Sequence, residues 1–550
     1  VQSDTTTSPA ASVIAVDIRR FPWIRRFASD YAFAFDRVAR FFAGNPADPA
    51  AWTDAIARRQ AHTRQATELA RVLTAQQARR GAPRAARDAA ASLADRQAVV
   101  IITGQQAGLF GGPLFTLLKA MTAIRLAEKV SREHGVVAVP VFWIDAEDHD
   151  WPEVSGCTVL DGDSVPRTIR LADPAGAGHL PIGRLELDDN VNAAIEALKT
   201  TLPENEFTAS VLEDVRAAYR PGVTMADAFG RWLETVLGPS GLVVFDASDP
   251  AAKPLASGVF THELDHPGQT AALASEAGRA LVAAGYHAQA TPHEGAVSLF
   301  YLDGGRDSIR VSERTATIGD RHVPLGALRE EAAGNPDHFS PNVLLRPIVQ
   351  DTLFPTICYV AGPNELAYLG QLREVYTHFA VPMPLMYQRA TATIADSATV
   401  RFLSKYDVSV EALQPRDEAA LNQLLQEQLP PTVDQSLTNV ATEIEQRMAA
   451  VAAAVPQIDP TLEGTVKSTL GRMQHDLRTL HNKVIQAAKR RDDTLRRQFQ
   501  RAQALTFPSG HPQEREVGCV WFCNRYGPAL VDRLKEELPL EMGHHWILTI

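Results

Sequence analysis

The chain has 550 residues, 45 % of them hydrophobic and 22 % charged, which suits several large buried cores and excludes disordered or fibrous classes. A formal net charge of −11 argues against a general nucleic-acid binder. Four cysteines make no disulfide framework and fit a reducing cytoplasm, and no apolar run reaches membrane-spanning length.

The opening VQSDTTTSPA lacks the charged and apolar regions of a signal peptide, so residues 1–17 read as a flexible tail. Residues 18–97 read mostly as helix. DYAFAFDRVARFFAG spaces its apolar residues three and four apart up to Gly44, and a second helical stretch runs from about 51 to 81. The period then changes. Residues 98–102 form a β-branched run that reads as a buried strand, and Pro113 opens a helix of about 18 residues. Residues 136–144 are a second β-branched run, ending in Asp145, Glu147, Asp148 and Asp150. Strand, glycine-bearing turn, helix and strand make a βαβ unit, so an α/β fold on a parallel sheet is expected. Residues 242–245, 297–302 and 382–387 are further strand candidates, and 160–235 and 260–340 read as insertions in a core spanning 18–415.

From 416 to 505 the pattern is that of a coiled-coil hairpin. Val433, Leu437, Val440, Ile444, Met448, Val451 and Val455 keep a three-four spacing up to Pro456. Val466, Leu470, Met473, Leu477, Leu480 and Val484 resume it, followed by Leu495, Phe499 and Ala502. Two long striped helices joined at a proline describe an antiparallel coiled coil. Residues 461–503 hold ten Lys/Arg against four Asp/Glu, either a solvated face or an anion contact. Residues 506–550 return to mixed pattern and to the core. Cys519 and Cys523 have no convincing second half of a zinc site and read as structural.

Three motifs could carry chemistry. Thr103-Gly104-Gln105-Gln106-Ala107-Gly108 follows a strand and precedes a helix. It is either a ligand-binding loop or a tight structural turn, and it matches neither the dinucleotide fingerprint nor the P-loop. Glu147-Asp148-His149-Asp150 lies at a strand's carboxyl end, where open parallel sheets bind ligands. A polar substrate site, a solvated acidic loop and a metal site all remain open there. The third motif joins Arg346, Gln350 and Asp351 to Asn364, Glu365 and Tyr368, again across a strand and a turn, so it can face the first. Arg346 offers a fixed cation for a carboxylate or phosphate, or else pairs with Asp351.

TGQQAGLFGGPLFTLLKA, VPVFWIDAEDHDW, SPNVLLRPIVQDTLFPTICYVAGPNELAYLGQL and MPLMYQRA, in this order, resemble the bacillithiol biosynthesis cysteine ligase family, BshC. GYHAQATPHEGAVSLFYLDGG, KRRDDTLRRQ and NRYGPALVDRL extend the resemblance over about 18–550. One departure is Asp145-Ala146, where the family pattern has small residues such as Ala-Gly. The resemblance implies a Rossmann-like core with inserted subdomains, and a coiled-coil arm that pairs subunits into a homodimer. It also implies addition of cysteine to glucosaminyl malate, the last step of bacillithiol synthesis.

Joining a free carboxylate to an amine requires activation, so ATP is expected on energetic grounds, without a motif for it and with no metal assigned. On this reading Thr103, Gln105 and Gln106 hold the substrate or phosphate, and Asp148 or His149 orients or deprotonates the amine. Arg346 holds malate or the activated carboxyl, while Asn364, Glu365 and Tyr368 close the pocket. Glu147, Asp150, Gln350 and Asp351 complete the substrate-binding set. A metal-dependent hydrolase or transferase using the acidic cluster, and a noncatalytic coiled-coil assembly protein, are the competing classes.

Overall fold

A computed structural model describes residues 13–293, 295–415, 418–427, 431–491 and 493–550. The chain divides into two compact units, one of residues 1–394 with 513–550, the other of 395–512.

The first unit is built on five strands: β1 (Val99–Gln105), β2 (Ala138–Ile144), β3 (Val243–Asp246), β4 (Thr356–Ala361) and β5 (Leu385–Gln388). They form one parallel sheet in the order β5-β4-β1-β2-β3. Its strands are apolar, and β1 above all is β-branched, because both faces are covered. Val99 and Ile101 face one layer, with Trp52, Ala123, Leu126 and Val130. Val100 and Ile102 face the other, with Trp143, Phe245 and Leu345. The chain leaves β1 toward β2 and β3, then returns to place β4 on the opposite side. The carboxyl ends of β1 and β4 therefore flank a topological switch point, the place where such sheets open a crevice.

Four helices matter for the site: α1 (Phe115–His134), α2 (Met225–Leu237), α3 (Arg346–Leu353) and α4 (Glu365–Leu369). Helix α1 makes the crossover from β1 to β2, starting two residues after Pro113 rather than at it.

Several sequence expectations are corrected. The stripe up to Gly44 gives a helix only over Arg26–Phe33, followed by 3-10 turns, since Ala34 leaves helical geometry. The stretch from 51 to 81 is two helices, Pro49–Ala61 and Ala66–Arg80, the latter ending at Gly81 with φ 74°. Residues 297–301 of the expected run 297–302 fall in Ala296–Tyr301, but this strand lies in a separate antiparallel sheet running to Pro341. A short apolar run does not reveal which sheet it joins. Of the tail expected over 1–17, residues 1–12 lie outside the described residues, while Val13–Asp17 pairs with His544–Thr549.

The second unit begins at 395, ahead of the expected 416, and runs to 512. Its helices Pro431–Ala454 and Leu462–Arg491 pack side by side, joined through a 3-10 turn at Val455–Gln457. Leu437, Ile444, Met448, Leu470, Leu477 and Val484 are half-buried, whereas Val440, Val451, Met473 and Leu480 remain exposed. Leu495, Phe499 and Ala502 are buried on the following helix, Asp493–Thr506.

Candidate active site

A cavity of about 560 Å³ lies at the switch point. Its walls include Gln105 and Gln106 after β1, Asp145 and Asp148 after β2, Arg346 on α3, and Glu365 and Tyr368 on α4. The first and third sequence motifs thus share one cavity.

The glycines of the first junction serve packing. A Cβ on Gly104 would stand 2.9 Å from the Trp143 carbonyl, and one on Gly111 would stand 2.2 Å from the Trp232 ring. Gly111 also adopts φ +91°, in the region that L side chains avoid. The N–H groups of Gly108, Gly111 and Gly112 are satisfied within the fold, that of Gly108 by the Gln106 carbonyl. Gly111 N–H donates to the Tyr219 hydroxyl, which donates to the Gly108 carbonyl, and Gly112 N–H donates to Leu109. The glutamine side chains are what this junction offers to the cavity.

A buried polar network links the two junctions. Lys119 of α1, 2 % exposed, donates to the Gly104 carbonyl at 2.8 Å, to Gln105 Oε1 at 3.2 Å, and to Glu365 Oε1. Tyr359 donates to Glu365 Oε2 at 3.1 Å. Burial works against the Glu365 carboxylate, but Lys119 and Arg346 outweigh it and hold Glu365 below its usual range. Burial alone would lower Arg346, but Tyr359, Tyr368 and Asp145 raise it, so its guanidinium is a permanent cation. Its carbon stands 6.0 Å from the Trp143 ring centre and 5.7 Å from that of Tyr359.

The acidic loop divides its charges. Burial pushes the Asp145 carboxyl above its usual range; Arg346 opposes this and Asp148 adds to it. Glu147 turns away to pair with Lys253 in the interior. Asp148 accepts from Gln106 Nε2 at 2.8 Å, Arg306 Nη1 at 3.1 Å and the His149 backbone at 2.8 Å. The His149 ring is exposed beside it, and Asp150 caps the short helix Trp151–Val154. Glu147 and Asp150 are thus taken up by structural partners, while Asp145 and Asp148 face the cavity.

Of the thirteen residues singled out in the sequence, Gln105, Gln106, Asp148, Arg346, Glu365 and Tyr368 line the cavity. The other seven do not, for reasons visible in their partners. Thr103 is fully buried and donates to the Val360 carbonyl, tying β1 to β4. Glu147, His149 and Asp150 have the partners just described. Gln350 accepts from Arg346 and donates to Asp351, which also accepts from Tyr376 at 2.5 Å. Both belong to the support beneath Arg346, and Arg346 does not pair directly with Asp351. Asn364 faces a neighbouring cavity of about 420 Å³ with Arg26, Tyr286 and Ala367.

Two family models match the chain. "Bacillithiol biosynthesis BshC, N-terminal Rossmann-like domain" covers residues 14–390, and the C-terminal coiled-coil domain of the same family covers 392–550. The chain belongs to the BshC family. Relatives that carry the name "Putative cysteine ligase BshC" include one from Salinibacter ruber, 33 % identical over 95 % of both chains. Others come from Chlorobaculum tepidum, 31 % identical over 80 % of this chain and 81 % of its own, and Koribacter versatilis, 32 % over 80 % and 82 %.

In this BshC chain the sequence reading passed over Lys119, Arg306 and Asn342, all lining residues. Lys119 comes too late in the chain for a P-loop lysine; a lysine one turn inside an apolar helix, facing a strand end, is the usable signal. Arg306 had no local signal. It arrives from the inserted antiparallel sheet, packed 3.9 Å from the Phe300 ring centre, and donates to Ser340 and Pro341 as well as Asp148. Asn342 shapes the turn just ahead of α3, its side-chain oxygen accepting from Leu344 and Leu345 N–H. Asp145, the departure from the family pattern, lines the cavity too.

Proposed function

We propose that the chain joins the carboxyl group of L-cysteine to the amine of glucosaminyl malate, completing bacillithiol, with ATP activating the carboxyl. Membership in a bacillithiol biosynthesis family and relatives named as cysteine ligases support the reaction class. The observation that carries the reading is the cavity's mixed charge: Lys119, Arg306 and Arg346 stand with Asp145, Asp148 and Glu365. A zwitterionic amino acid and a malate-bearing sugar amine need both signs within reach.

In the proposed chemistry, cysteine carboxylate attacks ATP to give an acyl phosphate and ADP, or an acyl adenylate and pyrophosphate. The sugar amine then bonds to the carbonyl carbon, phosphate or AMP leaves with the C–O electron pair, and the amine's proton passes to a base. Asp145 suits that base, because its raised pKa favours proton acceptance and Asp148 is already held by three donors. Arg346 is placed to hold a carboxylate or the developing negative charge. The test incubates purified protein with cysteine and glucosaminyl malate, with and without ATP, and follows bacillithiol, ADP and AMP by mass spectrometry. Bacillithiol formed only with ATP supports the reading; no bacillithiol under any condition rejects it.

The same reading makes the protein a cytoplasmic homodimer joined through the helical hairpin. Val440, Val451, Met473 and Leu480 leave apolar surface on the hairpin, and the four cysteines are unpaired. No described helix is long and apolar enough to cross a membrane. Sedimentation at micromolar concentration tests the dimer, and a monomer with folded hairpin rejects it.

A further inference from the structure

Away from the cavity, three histidines meet. Helix Ser257–Asp265 carries His262, and His266 follows one turn later at its C-cap, on the same side. His378, the last residue of helix Arg373–His378, brings a third ring against both. Ring centres are 4.5 Å apart for His262 and His266, 4.7 Å for His262 and His378, and 5.2 Å for His266 and His378. One ring nitrogen from each lies within 4.8 Å of the other two.

The state of the nitrogens decides what this cluster can do. Nε2 of His262 and Nε2 of His378 are buried without a hydrogen-bond partner. Nδ1 of His266 lies 3.0 Å from the His262 carbonyl, and an N–H there leaves Nε2 with a free lone pair. Three protonated imidazoles this close would repel.

We infer that His262, His266 and His378 form a binding site for one divalent transition-metal ion of the zinc class. Zn–N bonds of about 2.0–2.1 Å in a tetrahedron place nitrogens about 3.3 Å apart. The present separations, within 4.8 Å, have to close to that value by side-chain rotation on binding. Three nitrogen ligands leave a fourth position, which opens to solvent on the exposed His266 side. Asp265, paired with Arg329 at 2.5 Å, adds negative charge next to the site.

The ion would clamp two segments of the first unit, one of which carries the cavity residue Glu365. Helix Ser257–Asp265 follows Lys253, which grips Glu147, and helix Arg373–His378 follows Glu365, which grips Lys119. Its role is to hold the scaffold, outside the proposed reaction.

The test uses tag-free, full-length protein, stripped with chelator and dialysed. Zn²⁺ titration by calorimetry, metal content by mass spectrometry and the visible spectrum with Co²⁺ are read together. The expected result is one metal per chain, a tetrahedral Co²⁺ spectrum, and a thermal midpoint raised by metal. His266→Ala, an exposed position that should fold normally, should weaken binding at least about a hundredfold and abolish the Co²⁺ spectrum. His378→Gln should do the same. A wild type that binds no metal, or a His266→Ala variant that binds as tightly as wild type, overturns the inference.

Discussion

The junctions after β1 and after β4 share one plan, strand, glycine turn and helix, yet they use it differently. After β1 the glycines let backbone approach Trp143 and Trp232, the N–H groups bond internally, and neutral glutamine amides reach the cavity. After β4 the Gly362-Pro363 turn sends Asn364 to a neighbouring cavity, and the next residue delivers a half-buried carboxylate that meets the buried Lys119. A turn that looks built for an anion can instead be a packing device. Burial of charge marks the chemical side more reliably than glycine content does.

The most damaging way to break this contrast is Lys119→Met. It leaves the half-buried Glu365 with Arg346 as its remaining cation, which should cost about 1–3 kcal/mol of stability. Turnover should also fall sharply. Lys119→Met with Glu365→Gln should recover much of the stability but not the turnover; thermal melts and product assays on the same preparations decide this. Equal stability of the single variant and wild type would remove the pair from its place as the link between the junctions.

A second test separates the scaffold's pH response from that of the cavity. Burial, reinforced by Arg389 and opposed by Glu514, lowers His545 to about 4, from the ordinary 6.5. The unfolded chain therefore binds a proton below pH 6.5 that the folded chain refuses, so stability falls as pH drops from about 6.5 to about 4. The full loss approaches about 3 kcal/mol. His545→Gln should flatten that slope in melts taken across the window. Cavity variants such as Asp145→Asn should leave it in place.

Asp145→Asn itself should reduce turnover about a hundredfold while shifting the thermal midpoint little. The raised Asp145 pKa also sets a sign for activity. The base is available only once deprotonated, so kcat/KM should rise with pH through a value above the ordinary carboxylate range, and the variant should lose that limb. A variant that keeps the wild-type profile would move the base elsewhere.

The parallel sheet was legible because buried parallel strands must be β-branched runs, and residues 98–102 and 136–144 are unmistakable. The switch point followed from strand order, which no local pattern states. At the site, Gln106, Arg346 and Glu365 were visible because they flank strand ends. Glu147 and Asp148 were not distinguishable by sequence, since one meets Lys253 and the other Arg306, partners that lie 106 and 158 residues away. The three histidines escaped for the same reason: His262 and His266 are neighbours by helical spacing, but His378 joins them only through the fold.

The first junction can also be dissected within itself. Gly111→Ala forces a Cβ into Trp232 at a left-handed position and should cost about 2 kcal/mol of stability or more.

Gln106→Ala is the smaller and sharper change. It removes an amide that donates to Asp148 at 2.8 Å, while Arg306 and the His149 backbone still hold that carboxylate. Folding should therefore be nearly unaffected. Losing one hydrogen bond from this amide to a charged group of the substrate is worth about 1.5 kcal/mol, so kcat/KM should fall about tenfold. If Gln106 orients substrate in ground and transition states alike, the loss should appear in KM and leave kcat alone. A drop in kcat with unchanged KM would instead make Gln106 a group that acts only as charge develops. A variant that loses stability and keeps its kinetics would mean the glutamine packs as the glycines do, and the contrast between amide and glycine within this junction would fail.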